Sequence, residues 1–206
     1  MTMIDDIEIK CPICNNDIKI WLLLSTNSSG FPDLDLRPPE MQRSTMNTWT
    51  QECPHCGYVS SDFNETPMVD EDFLKTESYQ SCDNIDFKNN LSKIFYRQSL
   101  IESDNINKFY ALLHCAWACD DAEDIQNAVK IRNLALETIK DLDLNEDMII
   151  LKADLMRRAQ MFDDIIEEYS NMKFGEDILN QICEFQVEKS KIKDDGCYTI
   201  KDVVKN

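Results

Sequence analysis

Residues 52–60 read ECPHCGYVS and residues 11–15 read CPICN. Both stretches hold two cysteines two residues apart with a proline behind the first; Gly57 follows one pair and Asn15 the other. Two such turns, each presenting two thiols from a tight loop, supply the four soft ligands that tetrahedral zinc takes in structural sites. The proline stiffens each loop, and Gly57 can take a positive φ that lets backbone N–H groups point at sulfur. Asn15 plays the same part, because asparagine tolerates the left-handed region better than most residues. The pattern therefore points to one zinc ion held by Cys11, Cys14, Cys53 and Cys56. Four thiolates leave no position for water or substrate, so the expected role is to hold a fold that about 65 residues can barely hold alone. His55 is a spacer inside the second turn, expected to be exposed and not a ligand. Between Cys14 and Cys53 lie 38 residues, more than the roughly 15–20 of a compact ribbon, so an insertion is expected to loop out of the module. Thiol redox chemistry is the rival use of either pair. Neither stands in the strand-to-helix context of a thioredoxin site, and both lie in a core-poor segment, which favours metal.

Outward from these turns the chain changes character. Residues 1–65 contain both cysteine pairs, five of the six prolines and short β-prone stretches such as Ile18 to Leu24. Residues 87–190 contain no proline and carry apolar residues at intervals of three and four, the pattern of amphipathic helices. Helices are expected after Asp86 to Ile101 and over about 105–119, 122–142, 146–159, 162–172 and 176–189. At an offset of 37 residues Leu112 matches Ile149, Ala116 matches Ala153, Cys119 matches Met156, Ile125 matches Phe162, and Ala128 with Val129 match Ile165 with Ile166. Small residues recur where helices would cross closely, the logic of stacked helical hairpins; Gln160 stands where such a repeat commonly has glycine. The expected fold class is α+β, mainly α. It comprises a small zinc-knuckle or ribbon-like module over 1–65 with a long insertion between knuckles, a connecting segment over 66–86, and a tetratricopeptide-like helical-hairpin array over 87–206 with a tail from Gly196.

Charge and cysteine count bound the function. The formal net charge is -18, from 39 acidic and 21 basic residues. A field of that sign repels phosphate backbones and anionic membranes and favours basic partners. Nine cysteines cannot all close into internal disulfides, and acids stand at Asp5 and Asp6 where a signal peptide would be basic, so a reducing cytoplasm is expected. The longest apolar run, Ile20 to Leu24, is too short to cross a bilayer. Cys115 and Cys119 share a helical face beside His114 and read as small buried residues at a helix crossing; Cys82, Cys183 and Cys197 read as free thiols. Two histidines, four glycines and no phosphate-binding or nucleophile motif leave catalysis little to stand on. The pairs Asp120/Asp121 and Asp163/Asp164 read as helix caps near turns.

Three stretches together resemble an uncharacterised bacterial family, the domain of unknown function 2225 family. They are CPIC at 11–14, DLRPPEMQRSTMNTWTQECPHCGY at 35–58, and YALLHCAWACDDA at 110–122 with LKADLMRRAQMFDDII at 151–166. The resemblance covers most of the chain and is most specific in the Arg-Pro-Pro-Glu segment and the Cys-Pro-x-Cys-Gly-Tyr that follows a tryptophan. It implies four metal-binding cysteines and tetratricopeptide-like helices, and no established activity. Asn15 departs from it, since related sequences commonly place glycine there.

Arg37, Glu40, Arg43 and Trp49 in the insertion form either a recognition patch beside the metal or a set of salt bridges that tie the insertion to the helices; the second is preferred, since such arginines often tie a loop down. The expected function is a non-catalytic, zinc-stabilised module that binds another protein, one with a basic segment, and neither nucleic acid nor membrane. The alternatives are a zinc-ribbon-type regulator linked to nucleic-acid machinery and a Cys-x-x-Cys redox protein.

Overall fold

The computed structural model describes residues 2–204. Strands β1 (Met3–Lys10) and β2 (Asp17–Ser25) form an antiparallel hairpin whose turn is the first cysteine pair. Isoleucine alternates with charged residues near that turn, so one face is apolar: Ile7 opposes Ile20 and Ile9 opposes Ile18. The second pair is likewise the turn of a short hairpin, β3 (Gln51–Glu52) and β4 (Val59–Ser60). The two hairpins bury Ile18, Ile20, Tyr58, Val59 and Phe63 together.

Residues 26–50 run between the two cysteine turns and dock on the helices instead of projecting. A tight turn closes Asp33 to Arg37, the Leu34 N–H donates to the Tyr198 carbonyl at 2.8 Å, and Asp33 bridges Thr199. A short helix α1 (Glu40–Arg43) and a 3-10 turn at Met46–Thr48 return the chain to β3. Residues 66–86 hold α2 (Glu71–Leu74), α3 (Glu77–Gln80) and a further 3-10 turn. Their Leu74 and Tyr79 enter the core of the cysteine module, so this connection covers the hairpins.

Six longer helices follow: α4 (Asn90–Ile101), α5 (Asn105–Asp121), α6 (Ile125–Ile139), α7 (Glu146–Arg158), α8 (Phe162–Tyr169) and α9 (Asp177–Lys191). Together with the short helices α1, α2, α3 and α10 (Ile200–Val203), they make about half of the chain helical. Side chains that prefer to bond local N–H groups set several starts: Asn89, Asp104 and Asn145 cap α4, α5 and α7. The turns after α5 and α7 share their closing backbone bonds at an offset of 37 residues. Glu123 and Gln160 sit at φ 56° and 64°; the N–H groups of Asp124 and Met161 donate to the carbonyls of Cys119 and Met156 at 2.8 and 2.9 Å.

One helical core gathers Phe95, Phe109, Leu113, Trp117, Ile131 and Leu155 from α4 to α7. A second gathers Ile165, Tyr169, Leu179 and Val187 with Leu34 and Val203, so the insertion and the tail share it. Arg157 fixes the tail: fully buried, it pairs with Asp154 and donates to the carbonyls of Asp194 and Gly196 at 2.8 Å. Among the described residues no helix is long and apolar enough to cross a membrane.

Candidate metal centre

Each cysteine turn is held by the same backbone bonds. The Cys11 N–H donates to the Asn16 carbonyl at 2.9 Å and the Cys53 N–H to the Tyr58 carbonyl at 2.8 Å; the Asn15 and Gly57 N–H groups return to the carbonyls of Cys11 and Cys53 at 2.9 Å. Asn15 takes φ 59° and Gly57 φ 76°, so asparagine serves here in glycine's place. N–H groups meet the sulfurs, that of Asn16 at Cys14, that of Tyr58 at Cys56 and that of His55 at Cys53. His55 itself is exposed.

The turns face each other. Cys11 Sγ lies 3.7 Å from Cys56 Sγ and Cys14 Sγ 3.7 Å from Cys53 Sγ. All four sulfurs fall within 4.8 Å of one another, so they could hold one metal ion. The geometry fits: thiolates around a tetrahedral ion with bonds of about 2.3 Å stand about 3.8 Å apart. Burial pushes the Cys53 and Cys56 thiols up. Burial also acts to raise Cys14, but the Asn16 N–H and side-chain amide outweigh it and hold that thiol down at about 6.

One side chain that the sequence did not single out ties this centre to the helices. Arg97 of α4, 6% exposed, pairs with Glu52 beside the second turn, reaches Asp83 at 3.0 Å, and donates from Nε to the Cys82 sulfur at 3.0 Å. Its guanidinium also lies 5.4 Å above the Tyr79 ring, whose hydroxyl donates to the Gly57 carbonyl at 2.6 Å. A Cβ on Gly57 would stand 3.4 Å from Arg97 Nη1, so glycine serves both the φ and the close approach. An arginine among the apolar positions of an amphipathic helix was the available signal, since a buried charge demands partners.

The four insertion residues do not form one exposed patch. Arg37, 5% exposed, pairs with Asp120 and Asp121 at the end of α5, and Arg43 bonds Asp33 at 3.0 Å. Glu40 is exposed on α1, and Trp49 donates to Thr45 Oγ1 and packs edge-on to His114 at 5.2 Å. The arginines thus tie the insertion down. Between them lies the fully buried Asp35, which accepts from Trp117 Nε1 at 2.9 Å and from Arg158 at 2.5 Å.

Asp120 and Asp121 are corrections to the capping expectation: they end α5, where a carboxylate opposes the helix dipole. Burial works to raise Asp120, and Arg132, Arg158 and Arg37 around it overcome that and hold it below the usual carboxylate range. Asp163 and Asp164 do stand in the first turn of α8. Cys115 and Cys119 are buried against Ser92 where α4 crosses α5. Cys82 and Cys183 are buried and Cys197 is exposed, all three free. Compared with models of known families, with curated proteins and with solved structures, the chain matches none.

Proposed function

We propose that the chain is a non-catalytic protein-interaction module built on a single structural zinc. The observation that carries this reading is the closed set of four sulfurs, with two close contacts of 3.7 Å. Soft thiolates in tetrahedral array favour zinc, and with all four positions filled by protein the ion stabilises the fold without activating water. Function then falls to the surface that the scaffold presents. The matched turns at 122–124 and 159–161 support a tetratricopeptide-like stacking of α5/α6 on α7/α8, which offers an extended face to a partner. The net charge of -18 favours a basic segment on that partner. Membership of the domain of unknown function 2225 family belongs to the same proposal and rests on the motifs quoted above.

Native mass spectrometry of protein purified without added metal tests the zinc. One zinc per chain, lost to a strong chelator together with folded structure in residues 2–86, is the expected result. A metal-free chain with Cys53 and Cys56 joined in a reversible disulfide would overturn it in favour of redox chemistry.

A further inference from the structure

Two adjoining hollows run along the face of α5, α7 and α9 that residues 32–39 overlook. One, of about 530 Å³, lies between Leu34 and Leu36 on one side and Met148, Ile150 and Ile182 on the other. The second, of about 500 Å³, lies between Pro38 and Pro39 and the rings of Trp49, His114 and Trp117. Both are lined by Pro32, Leu36 and Tyr110, which therefore stand at their junction.

Two features mark that junction. Leu36 is held at φ 67° and is 56% exposed, so an apolar residue takes a strained backbone conformation and gains little burial for it. Among the described residues the Tyr110 hydroxyl has one hydrogen-bond partner, the Met148 sulfur at 3.6 Å, a weak acceptor that leaves it free to bond a guest.

Charge selects the guest. Of the ionisable side chains lining the hollows, Asp33 is neutralised by Arg43, and His114 is kept neutral by burial. Among the described residues no lysine or arginine lines either hollow. Asp147 is exposed and forms no ion pair among the described residues, and Asp143 and Glu146 flank it in sequence. A second copy of a chain with net charge -18 would bring like charge to this rim.

We propose that the groove seats a peptide segment of a partner protein carrying an apolar anchor next to a lysine or arginine, the anchor between Leu36, Tyr110 and Met148 and the cation at Asp147. This rests on the interaction reading above and gives it a site and a ligand chemistry.

The test is selection of a displayed library of random twelve-residue peptides on the zinc-loaded full chain, followed by affinity measurement on variants. Recovered peptides are expected to share an apolar residue within two positions of a lysine or arginine. Asp147→Lys should weaken them at least threefold. Leu36→Gly, which removes an exposed side chain and relieves the backbone, should weaken them at least tenfold with the melting temperature unchanged or raised. Peptides that bind both variants as tightly as the parent chain would sink the groove and leave the interaction reading standing. A library that yields no binder would sink both. A dimer in sedimentation that Leu36→Gly dissociates would replace the peptide with a second copy.

Discussion

An imidazole at position 114 sits among three aromatic rings, with centroids 5.2, 5.3 and 4.9 Å away in Trp49, Phe95 and Trp117. Burial pushes its pKa down to about 4. The folded value lies below the unfolded value of about 6.5, so protons favour the unfolded chain. This contribution is complete above about pH 6.5 and is lost as the pH falls toward 4. At pH 5 the loss is about 2 kcal/mol at most. Urea unfolding at pH 7 and pH 5 should show a smaller drop for His114→Phe than for the parent chain; equal drops would refute the assignment. Asp35 is the other single residue on which much depends. Truncation in Asp35→Ala leaves the Trp117 N–H without its buried acceptor and Arg158 with Asp120 alone. Breaking a buried pair from one side costs about 3–5 kcal/mol; with Asp120 still holding Arg158 the loss should fall below that range, and the urea midpoint should still drop.

Between helices, the turns carry a conflict that side chains do not resolve. Glu123 and Gln160 hold left-handed conformations that glycine takes without steric penalty. Gln160 offsets part of the strain by donating to Asp195 at 2.7 Å. At Glu123 the partner of Lys88 is the backbone carbonyl, which glycine would keep. Glu123→Gly should therefore stabilise the chain by up to about 1 kcal/mol, whereas Glu123→Ala should not. A loss of stability in the glycine variant would show that the side chain matters more than the strain. The helices themselves were legible because apolar spacing, Asn89, Asp104 and Asn145 act within one turn of chain. Asp120 was misread for the opposite reason: an aspartate near a turn looks like a cap until the arginines that surround it are known.

Across the whole molecule, Arg97 joins the cysteine turns to α4, so the candidate metal site and the helices are not independent. Chelation should raise amide hydrogen exchange in β1 to β4 and also in α4, and leave α8 and α9 unchanged. Exchange confined to the two hairpins would show that Arg97 transmits nothing. The sequence by itself determined the two matched cysteine turns, the role of Asn15 and the six long helices, because each rests on spacing within a few residues. Only the tertiary structure decided where residues 26–50 land, that residues 66–86 complete the core around the cysteine turns, and that Arg37 is buried rather than presented. Those outcomes rest on contacts such as Arg158 to Asp35, made across 123 residues. The energy of such a pair comes from closeness in a desolvated interior, and no local pattern of residues encodes it.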